Sequence, residues 1–99
     1  MPWCVYIVSN ANRTLYAGIT TDPVRRLEEH RTGKYDNAFT KRYNFDRIVY
    51  FEACADQRAA ARREKQIKRM HRAEKIAMIE AVNPSWKNLA EIGALLALE

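Results

Sequence analysis

The chain contains little glycine or proline, with three residues of each among its 99. This scarcity excludes collagen-like and low-complexity proteins, and a hydrophobic content of 47% excludes an intrinsically disordered tail. Long apolar runs are missing as well, since the longest one, residues 92–98, is far shorter than the roughly 20 residues that cross a bilayer. The first residues show neither the basic segment nor the cleavage site of a secretory signal. We therefore expect one compact domain in the cytoplasm, with no membrane partner.

Cysteine is scarce too. Cys4 and Cys54 both lie in apolar segments, without a CxxC motif and without a histidine at metal-ligand spacing. A cytosolic compartment disfavours a disulfide. We predict that both residues are buried free thiols.

Basic residues are what the chain has in excess. Seventeen Lys and Arg stand against 12 Asp and Glu, for a net charge of +5. The excess lies in residues 58–75, which hold eight basic and two acidic side chains, whereas the rest of the chain is nearly neutral. Such a concentration of positive charge commonly marks an anionic partner, nucleic acid among them.

Three segments have the composition of strands. Aromatic and β-branched residues fill residues 3–8, 14–20 and 47–53. The polar segment at residues 9–13 predicts a turn, so that the first two strands form a hairpin.

The remaining segments predict helices. Asp22 is a good N-cap and Pro23 suits the first helical position, so that a helix begins there and ends near Thr32. A composition rich in Ala, Arg, Lys and Glu predicts one long helix over residues 56–82, which Asn83-Pro84 would end. Shorter helices are predicted over residues 37–41 and 89–98. The expected fold is a small α+β domain, a three-stranded antiparallel sheet flanked by helices.

A helical wheel gives the long helix two different faces. The face expected to meet the sheet consists of Ala60, Glu64, Ile67, His71, Glu74, Met78 and Val82. The opposite side carries a cationic stripe of Arg58, Arg62, Lys65, Arg69 and Arg72. Glu64 is the exception on the apolar side, and a half-buried carboxylate is costly unless it is paired or binds a metal. It is interpreted either as the partner of Arg63, Lys68 or Lys75, or as a functional carboxylate.

An ordered set of polar residues in these elements resembles a known family. The first two strands contain Cys4-Val5-Tyr6 and Tyr16-Ala17-Gly18, and Arg26 and His30 follow one turn apart on the next helix. With Glu64 on the basic helix and Asn88 beyond it, this order resembles the GIY-YIG nuclease domain over essentially the whole chain, and is most similar to its small stand-alone members. Ile19 stands where some repair-type members have a lysine.

The resemblance implies an enzyme that cleaves phosphodiesters with a single divalent metal, Mg²⁺ or Mn²⁺, held by Glu64. Arg26 would neutralise charge on the phosphoryl oxygens. Tyr16 would be the general base, and Tyr6 would orient the attacking water or the metal's water shell. Tyrosine has an ordinary pKa of about 10 and histidine titrates near neutrality, so that the choice between Tyr16 and His30 as base stays open. Gly18 and Asn88 would have supporting roles.

The expected substrate is DNA, or RNA. Nothing resembles an appended DNA-binding module, so we expect structure-selective or weakly sequence-specific cleavage in DNA repair or processing. The expected location is the cytoplasm or the nucleoid. The expected oligomeric state is a monomer or a weak homodimer. Phosphate contacts position a protein without reading sequence. The residues expected to make them are Arg31, Lys34, Lys41, Arg42, Arg62, Lys65, Lys68, Arg69 and Arg72.

Other interpretations stay open. Taken singly, Tyr6 and Tyr16 are typical core aromatics of strands, and Arg26 with His30 is typical of a surface pair. The chain as a whole would then be a nucleic-acid-binding module that uses the basic helix 58–75 without turnover, and whose affinity falls steeply with salt. A third class is an interaction protein that dimerises through Leu89, Ile92, Leu95 and Leu96.

Overall fold

The computed structural model describes residues 2–32 and 43–91. In chain order the elements are strands β1 (Trp3–Ser9) and β2 (Leu15–Thr20), helix α1 (Pro23–Arg31), strand β3 (Arg47–Cys54), and helices α2 (Gln57–Arg69) and α3 (Arg72–Val82). The predicted α+β class with a three-stranded antiparallel sheet is confirmed. None of these helices has the length and apolar character needed to cross a membrane. The helix predicted over 37–41, and most of the one over 89–98, lie outside the described residues.

Strand β1 is the centre of the sheet, with β2 and β3 on either side. Every residue from Cys4 to Ser9 is buried, because the sheet is covered on both faces. A strand covered on both faces has a continuous apolar sequence instead of an alternating one.

The two faces of the sheet carry two separate apolar clusters. Val5 and Ile7 of β1 pack against Ile67 of α2 on one face, whereas Tyr6 and Val8 pack with Leu27 of α1 on the other. Successive side chains of a strand point to opposite faces. This alternation separates Tyr6 from its neighbours in sequence and turns it toward α1.

Helix α1 begins and ends where the sequence predicts. Asp22 Oδ1 accepts a hydrogen bond from the Arg25 backbone N–H at 3.1 Å, and Pro23 opens the first turn. At the other end, the Thr32 N–H donates to the Glu28 carbonyl at 2.9 Å. A side-chain cap of this kind stabilises a helix by about 1 kcal/mol.

The prediction of one continuous helix over residues 56–82 is wrong, because the chain leaves the helix at Met70 and His71. Both residues have extended backbone, with ψ of 146° and 155°. A new helix begins at once, since Glu74 Oε1 accepts the His71 N–H at 3.2 Å. Glu74 is therefore a helix cap and not a residue of the core face.

The break also changes which side of the second helix is buried. His71 and Glu74 are exposed, and Val82 is 66% exposed, although the wheel assigned all three to the core face. Ile79 is buried in their place. A helical wheel assumes one continuous helix. Beyond the break at Met70 and His71 the second helix has its own axis and its own angular starting point, so the wheel assigns its residues to the wrong faces.

The segment after α3 covers the outer edge of β3. Asn83 Nδ2 donates to the Val49 carbonyl at 3.0 Å, and Asn88 Oδ1 accepts the Ile48 N–H at 3.1 Å. The Leu89 N–H completes the contact by donating to the Ile48 carbonyl at 2.9 Å. These bonds satisfy strand groups that would otherwise be an open sheet edge.

Both cysteines are free thiols, as predicted, although Cys54 is only partly buried. Burial, together with a smaller effect of nearby Cys54, raises the pKa of the Cys4 thiol to about 11. Cys4 is therefore protonated at physiological pH, and a thiol that does not ionise is a poor nucleophile.

Candidate active site

The hydroxyl of Tyr6 is packed against Gly18. The two residues lie opposite each other in the β1–β2 pair. A Cβ added to Gly18 would be 2.5 Å from Tyr6 Oη and 2.7 Å from Cζ, and the tyrosine is only 1% exposed, so that its ring has no room to move aside. Glycine is required at this position because of the close approach and not because of a special backbone angle.

His30 of α1 meets both tyrosines on this face. Its Nε2 atom shares a hydrogen bond with Tyr6 Oη at 3.2 Å. Its ring stands edge-on to those of Tyr6, Tyr16 and Phe45, with centroid distances of 6.1, 5.7 and 6.2 Å. Edge-on packing of this kind fixes the orientation of the rings. His30 is thus the residue that joins the two motif tyrosines.

The environment of His30 changes its acid–base behaviour. Its pKa is lowered from 6.5 to about 4, mainly by burial and secondarily by the Arg26 guanidinium, with Glu29 acting in the opposite direction. The expectation that His30 titrates near neutrality is therefore wrong. At pH 7 the imidazole is neutral, and with such a low pKa it is a weak proton acceptor.

Arg26 stands one helical turn before His30. Its Nε atom is 3.6 Å from Glu29 Oε1, and its side chain is 30% exposed. The guanidinium is close enough to His30 to affect its pKa, and although its Nε atom is buried the side chain keeps a partly exposed surface. An incoming phosphate could therefore reach it.

Glu64 is connected to the tyrosines through Lys68. The Lys68 Nζ atom is 3.6 Å from Glu64 Oε2 and 5.6 Å from the centroid of the Tyr16 ring. Of the three ion-pair partners considered for Glu64, Lys68 is the one that this structure forms. Tyr16 lies on β2, an edge strand, so that no further strand separates its ring from side chains of α2.

The structure therefore brings the five predicted catalytic residues into one region at the β2 edge. Tyr6, Tyr16, Arg26 and His30 share the α1 face of the sheet, and Glu64 approaches from α2.

Asn88 has a structural contact at a distance from this cluster. Its Oδ1 atom accepts the backbone N–H groups of Ile48 and Ala90, which ties the last described segment to β3. Asn88 also lines a polar cavity of about 250 Å³ together with Arg31 and Arg47. These bonds favour a supporting role for Asn88, which anchors the backbone around Ala90 to β3.

The basic residues fall into separate groups. Four members of the stripe are exposed on α2, on the side opposite Ile67: Arg58, Arg62, Lys65 and Arg69. Arg72 belongs to α3, and its Nη2 donates to the Arg13 carbonyl at 2.8 Å. Arg31 is exposed at the end of α1 and pairs with Glu28 at 3.3 Å. Lys34, Lys41 and Arg42 lie outside the described residues.

A metal bound here would rely on a single carboxylate. Within residues 2–32 and 43–91, no three His, Cys, Asp or Glu side chains cluster as a multi-ligand metal centre requires. Glu64 is 23% exposed, and its partner Lys68 is 49% exposed. One accessible carboxylate fits Mg²⁺, which keeps several waters and takes phosphate oxygens as further ligands. The residues present therefore fit such an ion.

One residue of this region was predicted with two alternative roles, and another was not predicted at all. Lys68 was expected either to contact phosphate or to pair with Glu64, and the structure places it between Glu64 and Tyr16 as the partner of that carboxylate. Phe45 packs against Tyr16 and His30 from a segment with no apolar periodicity, so that the sequence held no signal for it.

Comparison with known proteins identifies the family of this chain. The model of the GIY-YIG catalytic domain matches residues 2–77. A UPF0213 protein of Syntrophus aciditrophicus is 40% identical over 76 residues, which are 77% of this chain and 87% of the relative. A UPF0213 protein of Desulfotalea psychrophila is 38% identical over 79 residues, covering 80% of this chain and 72% of that protein.

A solved structure shares the fold. The solution NMR structure of a UPF0213 protein from Bacillus halodurans matches with a TM-score of 0.56 and 28% identity, over 92% of this chain and 96% of the other. The fold and the matched catalytic domain are those of a family of nucleases. This family implies that the substrate is nucleic acid. The chain belongs to the GIY-YIG family.

Proposed function

We propose that this protein is a metal-dependent endonuclease that hydrolyses phosphodiester bonds of DNA with structure-selective or weakly sequence-specific cutting, in DNA repair or processing. One observation carries the proposal: a series of contacts leads from Tyr6 through His30 and Tyr16 to Lys68 and Glu64. Phosphodiester hydrolysis needs a positive group at the phosphate, a proton acceptor and a metal ligand, and this series with Arg26 supplies all three.

Arg26 binds the scissile phosphate in this proposal. Its partly exposed guanidinium is a fixed positive charge that stabilises negative charge on the phosphoryl oxygens. The Arg26 Nε atom lies 3.6 Å from Glu29, a long distance for an ion pair, and in this proposal the phosphate competes with that carboxylate for the guanidinium.

We assign the role of general base to Tyr16 and a positioning role to His30. A histidine whose pKa is about 4 holds a proton poorly at pH 7. It is neutral, however, and its hydrogen bond holds the Tyr6 hydroxyl toward the site. Tyr6 then orients the attacking water.

Glu64 is the residue that would hold Mg²⁺ or Mn²⁺. An ion held there would supply Lewis-acid polarisation of the phosphate and stabilisation of the leaving oxygen. Lys68 must then release the carboxylate, and the phosphate next to Tyr16 offers its ammonium a new partner.

The test is cleavage by the purified full chain. We expect nicking of plasmid and of branched DNA in Mg²⁺ or Mn²⁺ that stops in EDTA. Because one group that stabilises the transition state is typically worth a factor of about 100 to 1,000, Glu64→Gln and Arg26→Ala should each lower the rate by about that factor.

Glu91→Gln is the matched control, since Glu91 is exposed and lies outside the site. It should cut at the rate of the unmodified protein. The proposal fails if the unmodified protein cuts no linear, branched or single-stranded DNA with either metal, or if Glu64→Gln cuts as fast as the control.

The second candidate function is nucleic-acid binding without turnover. It is favoured by the Lys68–Glu64 ion pair, because a carboxylate that stays paired holds no metal. In that case Glu64→Gln would leave DNA affinity unchanged, and neither protein would cut.

A further inference from the structure

An apolar cavity of about 240 Å³ opens beside the candidate active site. Its floor is formed by the buried residues Ile7, Ala17 and Ile67, and Leu15 of β2 lines its side. Its rim carries Tyr16 and two lysines, Lys68 and Lys75. The cavity thus joins an aliphatic interior to two positive charges.

Two features of this chain shape the cavity. Ala17 lies opposite Ile7 in the β1–β2 pair and lines the cavity with a side chain of a single methyl group. The break after α2 starts α3 at Arg72, and this puts Lys75 of its first turn at the cavity.

We propose that this cavity receives one unpaired nucleobase of the nucleic-acid substrate, while Lys75 and Lys68 bind the phosphates on either side of that nucleotide. This inference rests on the proposed function for the identity of the substrate. A nucleobase is flat and mostly apolar on its faces, and it is attached to an anionic backbone; the cavity offers the complement of both. An uncharged apolar ligand would make no use of the two ammonium groups.

The cavity lies on the α2 face of the sheet, opposite Tyr6, and meets the site at the β2 edge, because Tyr16 and Lys68 belong to both. A nucleotide held there is adjacent to the phosphate at Tyr16. A base in a regular duplex must leave its stack to enter, whereas a bulged or otherwise unpaired base enters without that cost. The cavity therefore selects DNA with an unpaired nucleotide next to the cleaved bond.

The test uses a duplex that carries one bulged 2-aminopurine, compared with the same duplex in which 2-aminopurine is paired with thymine. Fluorescence and affinity are measured in EDTA, so that no cutting is needed. We expect the bulged duplex to bind about ten-fold more tightly and its fluorescence to rise about two-fold or more as the base leaves its stacked neighbours. The paired duplex should show neither effect.

Three variants locate the effect. Ala17→Ile fills the cavity with a residue that suits a strand, and it should lower the affinity for the bulged duplex to that for the paired one. Lys75→Ala should lower the bulge affinity about five-fold, the size of one phosphate contact. Lys87→Ala is the matched control, because Lys87 is exposed and only its backbone is hydrogen-bonded; it should bind like the unmodified protein.

Equal affinity for the two duplexes, or a full fluorescence response in both Ala17→Ile and Lys75→Ala, would overturn the inference. So would binding of free 2-aminopurine nucleotide as tight as that of the bulged duplex, since the site would then not be part of a strand-binding surface. These binding results are independent of cleavage. A protein that cuts DNA without preferring the bulge retains the proposed function and lacks this subsite, whereas one that binds the bulge and never cuts has the subsite without the function.

Discussion

At the scale of single residues, His30 shows how the packing around a side chain determines its protonation state. It is 4% exposed and is surrounded by the rings of Tyr6, Tyr16 and Phe45. A charged imidazole there would lose its hydration, and the nearby Arg26 guanidinium would repel it. The same packing that orients Tyr6 therefore keeps His30 neutral.

This neutrality makes the stability of the fold depend on pH. The pKa of His30 is about 4 in the folded state and 6.5 as the reference for the unfolded chain, so that between these values only the unfolded state takes up the proton. The free energy of unfolding should be unaffected by this group above pH 6.5 and should fall below it, by up to about 1.4 kcal/mol per pH unit.

Urea unfolding of the unmodified protein and of His30→Gln, from about pH 7 down to about pH 4.5, measures the contribution of His30 to the pH dependence of stability. The stability of the unmodified protein relative to the variant should decrease as the pH falls. His71→Gln, at an exposed histidine, serves as the control and should follow the unmodified protein. Parallel pH profiles for the unmodified protein and His30→Gln would contradict the prediction.

At the scale of secondary-structure elements, the break between α2 and α3 is the feature with most influence on the site. It ends α2 just beyond Lys68, and it sets the direction in which α3 presents Lys75. The backbone of His71 is held there by the Glu74 carboxylate. One capping interaction thus supports part of the cavity rim.

Removing that cap should weaken the fold by a measurable amount. Glu74→Ala loses the hydrogen bond to the His71 N–H, and we expect the free energy of unfolding to decrease by about 0.5 to 1 kcal/mol. Glu74→Gln is the matched variant, because its amide oxygen still accepts the bond, and it should retain most of the stability. Chemical unfolding of the three proteins compares them. Equal stability of the Ala and Gln variants would show that the cap contributes nothing.

At the scale of the whole molecule, the net charge of +5 is distributed over surfaces with different roles. Lys68 and Arg26 lie at the site, whereas the stripe residues of α2 are exposed on the side opposite Ile67, away from the sheet. We propose that the stripe contacts backbone phosphates at a distance from the scissile bond and contributes affinity without sequence preference.

Reversing charge on the stripe should separate binding from chemistry. In Arg62→Glu/Arg69→Glu we expect weaker binding to every DNA and a shallower dependence of affinity on salt, by about 0.9 in the logarithmic slope per lost phosphate contact. The cleavage rate at saturating DNA should stay the same. Arg25→Glu/Lys87→Glu changes the net charge equally at exposed positions on other elements. If this control weakens binding as much, the effect comes from overall charge and the stripe has no special role.

Much of the fold could be predicted because its signals are local. Strand composition, the polar turn, and the capping pair Asp22 and Pro23 each act within a few residues, and the structure has each of them where expected. The break at Met70 was missed because helix propensity is high on both sides of it, and a cap that depends on one carboxylate three residues later is a weak signal.

The sequence by itself determined the order of the elements, the two tyrosine motifs and the concentration of charge, since these depend on residue type and short spacing. Only the tertiary structure decided that His30 is neutral, that Lys68 pairs with Glu64 beside Tyr16, and that a cavity adjoins them. The pKa of a buried group and the partner of a long side chain depend on everything packed around them. Those neighbours come from α1, α2 and the edge of the sheet, which are far apart in the chain and meet only in the folded protein.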